Sequence, residues 1–460
     1  MSGKKLSIMD AVFLAGESRE TMMHVGGLFP FTPPADAKPG FLRALADELR
    51  ETPEIVAPWN LRLRTPELLK NPLQSWIEDD AFDMEYHVRR SALPTPGDER
   101  ELGILVSRLH GIQLDFHRPP WELHIIEGLQ GGRFALYFKI HHALVDGYTS
   151  MRMLASTLSE DPDDRDTPMF FSQRPRARPP TELAPPTLTT ITDMARTQMG
   201  AAREAGRALM NVFRAARDHD RDLVSPLQAP SSIINRRITR NRRFATQQYP
   251  IARLKRIARA TGATLNDVVL TLCGAALRRL LVELDALPAA PLIAMVPVNI
   301  RPKDDPGGGN AVGSILASLA TDLEDPLARL QAVMASAQRA KAELQGMSRS
   351  AILQYSAVMM SPLSLQQLTG TGGRVRPAFN VVISNVPGPE RPLYFRGARL
   401  EAIYPLSIPT HGYGLNITIN SYVDTINFGF TGCRDSVPRL QRLAVFTGQA
   451  LDELEAAIPQ

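Results

Sequence analysis

The sequence predicts an α/β protein built as two domains, and three observations carry that reading. Short apolar runs of strand length alternate with longer stretches whose apolar residues recur every three or four positions. The chain has 460 residues, too many for one compact core. A break in composition separates two such alternating regions: Asp161-Pro162-Asp163-Asp164 opens it, and Pro175, Pro179, Pro180, Pro185 and Pro186 extend it. The expected parts are a first domain over 1–160, a proline-rich linker with a basic helix over 161–243, and a second domain over 244–460.

In the first domain, Phe41 to Arg50 reads as a helix. Phe134 to Ile140, apolar and aromatic behind Gly131-Gly132, reads as a buried strand. Met151, Leu154, Ala155 and Leu158 then fall at helical spacing, so a helix is expected from about Tyr148. In the linker, Thr190 to Arg217 is helical in pattern. Arg196, Arg203, Arg207 and Arg214 lie near one face, with Ala205, Leu209, Val212 and Phe213 on another. It reads as a membrane-surface helix or a solvated linker helix, and its weak, alanine-rich apolar face favours the second. Arg236, Arg237, Arg240, Arg242 and Arg243 form a basic cluster that suits phosphates or lipid headgroups, or is simply a solvated charge run.

In the second domain, Leu254 to Ala260 reads as a helix, and Thr264 opens another. Asp267 stands three residues after Thr264, the spacing of a capping box. Val269, Leu272, Cys273, Ala276, Leu280 and Leu281 give the second helix its buried face. Ile293 to Ile300 and Phe379 to Ser384 read as strands. Leu415, Ile417, Ile419 and Ser421 alternate with polar residues and turn at Val423-Asp424 into a strand reaching Phe430. The Gly307 to Asn310 and Thr369 to Gly373 tracts lack the lysine and hydroxyl residue of a phosphate-binding loop and read as loops.

The chemistry concentrates in His141-His142-Ala143-Leu144-Val145-Asp146-Gly147, placed where the Phe134 strand ends and a helix should begin. Functional side chains collect at that edge of an α/β sheet. Imidazole takes protons near neutral pH. Because side chains alternate along a strand end, the two histidines should face opposite ways. His142 is the candidate general base and His141 the packed partner. His142 and Asp146 have no third ligand at a recognisable spacing, so no metal is expected. Asp146 also suits a helix cap.

Composition limits the alternatives. Hydrophobic residues make up 44% and charged residues 22%, ordinary for a globular protein. Two cysteines, Cys273 and Cys433, argue against a disulfide framework and for a reducing, cytoplasmic setting. Asp10, Glu17 and Glu20 interrupt any signal-peptide core, and no uncharged stretch is long enough to span a membrane. The net charge of +4 favours anionic partners such as a phospholipid surface or coenzyme A phosphates, while no nucleic-acid recognition motif appears.

Together these residues resemble the bacterial wax ester synthase/diacylglycerol acyltransferase family, whose signature is HHxxxDG. Ser7-Ile8-Met9-Asp10 with Phe13-Leu14, and Met23-His24-Val25-Gly26-Gly27, are similar to its opening. Arg118-Pro119-Pro120-Trp121-Glu122 and His124 to Leu129 resemble its RPLWE…HLIEGL segment, with Pro120 in place of leucine. Asn266-Asp267 and Ser384-Asn385-Val386-Pro387-Gly388-Pro389 match its ND and SNVPGP segments. The resemblance implies two chloramphenicol acetyltransferase-like domains with an active-site tunnel between them. It implies acyl transfer from acyl-coenzyme A to diacylglycerol or a long-chain alcohol, with no cofactor, at a membrane or lipid-droplet surface. His142 would be the base, supported by His141, Asp146 and Gly147. Asn266, Asp267, Ser384 and Asn385 would line the substrate site, with Arg301 as partner of Asp146 and Trp121 as structural support. The competing expectations are a free-standing condensation-type enzyme using carrier-protein thioesters and a non-catalytic lipid-droplet-binding protein. Oligomeric state is not legible.

Overall fold

The computed structural model describes residues 4–458 apart from 53, 70, 72–73, 146–153, 155, 174–205, 208–209, 211–223, 226–227, 300–311 and 346. The first half runs β1 (Lys4–Lys5), α1 (Ile8–Gly16), β2 (His24–Thr32), α2 (Phe41–Arg50), β3 (Leu61–Leu63), β4 (Ser75–Glu78), α3 (Met84–His87), β5 (Val88–Ala92), α4 (Glu99–His110), β6 (Trp121–Glu127) and β7 (Phe134–His141). Next come β8 (Arg242–Pro250), α5 (Ile251–Thr261), α6 (Leu265–Glu283), β9 (Ile293–Asn299), β10 (Val312–Ser318), α7 (Pro326–Leu344) and α8 (Arg349–Thr369). The chain closes with β11 (Val381–Val386), β12 (Tyr394–Phe395), β13 (Ala398–Leu400), β14 (Tyr404–Leu406), β15 (Leu415–Tyr422), β16 (Thr425–Cys433) and α9 (Arg442–Ala457).

Two mixed sheets organise these elements. The first has the order β12-β13-β2-β7-β6-β5, with β14 also pairing β2; the second has the order β10-β9-β11-β15-β16-β8. A small sheet, β1-β4-β3, stands apart. Most ladders are antiparallel, but β5 runs parallel to β6, and β11 runs parallel to β9 and β15. Residues 394–406 therefore leave the second sheet and add three short strands to the first. That crossing ties the halves together through backbone hydrogen bonds, which no loop contact alone would do.

The second sheet follows its sequence pattern closely. Leu415, Ile417 and Ile419 are buried in the core with α6, so the alternating Asn416, Thr418 and Asn420 take the opposite face. The expected hairpin forms with Val423 at φ 52° and Tyr422 opposite Thr425. On β16, Gly429 lets the Pro405 carbonyl of β14 approach, since a Cβ there would collide with it. α6 starts as expected: Thr264 accepts the Asp267 N–H at 3.2 Å, and the Asp267 carboxylate accepts the Thr264 N–H at 2.9 Å. Its burial exceeds a single stripe, because α5, α7 and α9 surround it and every residue from Asp267 to Leu277 is buried.

Two expectations change in detail. The Phe379 strand starts two residues later, since Asn380 spends its side chain holding Pro230, Asn235 and Ile293 at 2.8 Å each. The Thr369 to Gly373 tract is a helix stop as much as a loop: Gly370, at φ 65°, closes α8. The helix expected from Tyr148 and the Gly307 tract fall largely or wholly outside the described residues. So does nearly all of the linker helix.

Candidate active site

Three sequence segments far apart in the chain meet at one sheet edge. β2 and β7 pair with His24 opposite His141, and β6 and β7 pair with Trp121 opposite Ile140. The ladder continues one step past the strand: the His141 N–H donates to Pro120 O at 2.9 Å, and the His142 N–H donates to Met23 O at 2.9 Å. The Met23, Pro120 and histidine segments thus lie side by side because their strands are neighbours. Gly26 on β2 is required there, since a Cβ would stand 2.8 Å from the Phe138 carbonyl and 3.2 Å from the Tyr137 ring.

The two histidines differ in burial, although both rings lie against the α1 segment, His141 at Glu17 and His142 at Phe13. His141 is buried, its ring edge-to-face with Phe116 at 5.0 Å. Its Nδ1 accepts the Ala143 N–H at 3.2 Å, so the proton of a neutral ring sits on Nε2. That Nε2 lies 3.4 Å from Glu17 Oε2, an electrostatic contact too poorly aligned to be a hydrogen bond. His142 is half-buried, and its ring stacks on Phe13 with centroids 3.9 Å apart.

Glu17 is the site residue that sequence reasoning missed. It stands at the end of α1, buried, and accepts the Met23 N–H at 2.5 Å and the Gln113 amide at 2.7 Å. It therefore fixes both His141 and the Met23 peptide whose carbonyl holds His142. Phe13 was visible as part of the opening segment but carried no role. Both residues reach the histidines because α1 packs in one cluster with Phe116 and Ala143, Leu14 buried and Phe13 against it.

Behind the site lies a buried polar network. Lys139, fully buried, donates to the Leu109 and Ile112 carbonyls at 3.2 and 3.1 Å and pairs with Glu122 at 3.0 Å. A cation at the carboxyl end of α4 suits the helix dipole. Burial works against the Glu122 anion, but the His124 hydrogen bond and the Lys139 and Arg89 charges hold its carboxyl down to about 2. Burial pushes the His110 imidazole down to about 3. His110 bridges the halves, with Tyr137 Oη at 2.8 Å and Ser407 O at 3.2 Å.

The second-half candidates separate by face. Asn385 donates to Asn266 Oδ1 at 3.5 Å, so the two asparagines share a location at the start of α6. Ser384, the next residue along β11, points to the opposite face. Asp267 is fully buried and caps α6, the structural reading of the ND pair. Trp121 is fully buried, donates to Trp59 O at 2.8 Å and stacks on His87 at 4.4 Å, which makes it a core residue under the strand edge. Gly388 is required by packing, because any side chain would strike the Ser421 carbonyl of β15. Asp146, Gly147 and Arg301 lie outside the described residues.

Two interlocked mixed sheets with a paired-histidine turn at the end of a central strand define an acyltransferase of the chloramphenicol acetyltransferase-like fold. A condensation domain of the calcium-dependent antibiotic synthetase superposes with a TM-score of 0.58 at 19% identity, covering 99% of this chain and 96% of that one, a likeness of fold. The wax ester synthase/diacylglycerol acyltransferase catalytic-domain model matches residues 6–269, and the WS/DGAT C-terminal-domain model matches residues 308–455. The chain belongs to the wax ester synthase/diacylglycerol acyltransferase family. It is 52% identical to a putative diacylglycerol O-acyltransferase of Mycobacterium tuberculosis, over 99% of this chain and 98% of that protein. It is 41% identical to O-acyltransferase WSD of Acinetobacter baylyi, with coverage of 99% and 98%. The solved wax ester synthase/diacylglycerol acyltransferase of Marinobacter aquaeolei superposes with a TM-score of 0.80 at 40% identity, covering 98% of this chain and 99% of that one.

Proposed function

We propose that this acyltransferase moves a long-chain fatty acyl group from acyl-coenzyme A to a hydroxyl of diacylglycerol or of a long-chain alcohol, with His142 as general base. The observation that carries the assignment to His142 is the contrast between the two histidines. His141 is enclosed by Phe116, Ala143 and Glu17, whereas His142 is only half-buried, its Nδ1 covered, on a backbone pinned at Met23.

In this reading His142 takes the hydroxyl proton as the oxygen attacks the thioester carbon. The tetrahedral oxyanion collapses with cleavage of the carbon–sulfur bond, and the imidazolium returns the proton to the thiolate. The products are an ester and free coenzyme A. Amide donors such as Asn266 and Asn385, or the Ser384 hydroxyl, suit the oxyanion. The step draws on acyl-coenzyme A as substrate and needs no further cofactor.

The lipid acceptor is met at a membrane or lipid-droplet surface. Among the described residues no helix is long and apolar enough to cross a membrane. The reading is supported by α8, which has no charged residue after Arg349 and exposes Leu353, Val358 and Leu365. The test offers purified protein labelled palmitoyl-coenzyme A with dipalmitoylglycerol or hexadecanol in turn, following ester and released thiol. Ester formation with stoichiometric thiol is expected, and His142→Ala should lower turnover by about 10²–10⁴-fold. Near-normal turnover in folded His142→Ala protein would overturn the base assignment.

A further inference from the structure

A cleft of about 540 Å³ opens between the halves, and its lining includes six arginines and no carboxylate. They are Arg19 from the α1–β2 loop, Arg108 from α4, Arg240 just before β8, Arg242 and Arg243 at its start, and Arg434 after β16. The volume lies in the range of small-molecule sites. Arg434 pairs with Asp435 at 3.4 Å, but Arg19, Arg108, Arg240 and Arg243 form no ion pair among the described residues. Elsewhere on the surface, arginines such as Arg253, Arg256 and Arg442 sit against carboxylates. A concentration of uncompensated cations in a concave site raises the local potential and draws anions.

The cleft is built rather than incidental. Arg242 is buried, yet its guanidinium is held only by backbone carbonyls, Thr239 O at 2.6 Å and Glu20 O at 2.5 Å. Burial works against its charge, and the nearby Glu17 carboxylate offsets that only in part, since the Arg242 pKa stays below the ordinary arginine value. Ser107 Oγ accepts the Phe244 N–H at 2.8 Å, which clamps the arginine end of β8 onto α4. The wall also leads to the histidine turn: Gln113 lines the cleft and donates to Glu17 Oε1, and Glu17 holds Met23, whose carbonyl anchors His142.

We propose that this cleft binds the phosphate groups of the acyl-coenzyme A donor. The assignment rests on the acyl-coenzyme A reading above and gives the donor's anionic end a site of its own. The donor joins its thioester through an uncharged pantetheine arm to a pyrophosphate and a 3′-phosphate. Guanidinium groups suit those oxygens through paired, charge-assisted hydrogen bonds.

The test compares palmitoyl-coenzyme A with S-palmitoyl-N-acetylcysteamine, which has the thioester and no phosphate, in wild type, Arg240→Ala/Arg243→Ala and Arg108→Glu. Folding of each variant is checked by thermal unfolding. Wild type should favour the coenzyme A donor in kcat/KM, and each variant should reduce that preference by about tenfold or more, through KM and with a weaker salt dependence. An unchanged preference, or an equal fall with both donors, overturns the phosphate site while leaving the acyl-transfer reading intact. An unchanged preference with weaker sedimentation on phosphatidylglycerol vesicles assigns the arginines to lipid headgroups instead and also overturns it. Ester from neither thioester in wild type removes the functional reading, and the coenzyme A assignment with it.

Discussion

Glu17 shows how much of the site turns on a single side chain. Its carboxylate gathers the Met23 N–H, the Gln113 amide and the edge of His141. Glu17→Ala should strand the buried Met23 N–H, at about 1–3 kcal/mol, and free the part-buried Gln113 amide toward the cleft. Denaturant unfolding should show that loss together with reduced turnover, since Met23 also positions His142. Glu17→Gln keeps an acceptor and should lose less stability. Equal stability of Glu17→Ala and wild type would remove the positioning role. In the sequence Glu17 is one acid among many, and only its distance from His141 distinguishes it. The histidine pair itself was legible as a local motif at a strand end, but the α1 residue each ring meets was not.

Among the elements, α6 and the β11 turn explain two motifs without invoking chemistry. The capping box of Thr264 and Asp267 opens α6, and Thr264→Ala should cost about 0.5–2 kcal/mol in denaturant unfolding. A change within ±0.2 kcal/mol would mean the cap contributes nothing, a bound set well under the usual cost. Gly388→Ala should be more harmful in stability than in turnover per folded molecule, because the added Cβ meets the rigid backbone of β15 at Ser421. Cap spacing and strand alternation were readable from local sequence. The all-round burial of α6 was not, because it depends on α5, α7 and α9 closing over it.

For the whole molecule, buried histidines and a buried carboxylate make stability sensitive to acid. Burial holds His87 down to about 4 and His110 to about 3. Below the ordinary histidine value of about 6.5 the unfolded chain takes up protons that these folded rings refuse, so stability falls with pH from there toward those lower values. Glu122, held to about 2, adds a second loss as pH drops below the ordinary carboxylate range. The unfolding midpoint should therefore be lower at pH 5 than at pH 7, and His110→Asn should shrink that difference. A midpoint independent of pH between 7 and 5 would contradict the burial of these rings as titrating groups.

The sequence alone determined the α/β class, the strand and helix periods, the capping box, the hairpin and the motif that marks the family. Each depends on neighbours within a few residues, where spacing dictates geometry. Tertiary structure decided that residues 394–406 join the first sheet, that Glu17 and Phe13 flank the histidines, and that scattered arginines converge on one cleft. Those outcomes depend on which strands pair and which helices pack, and contacts across hundreds of residues leave no periodic trace in the chain.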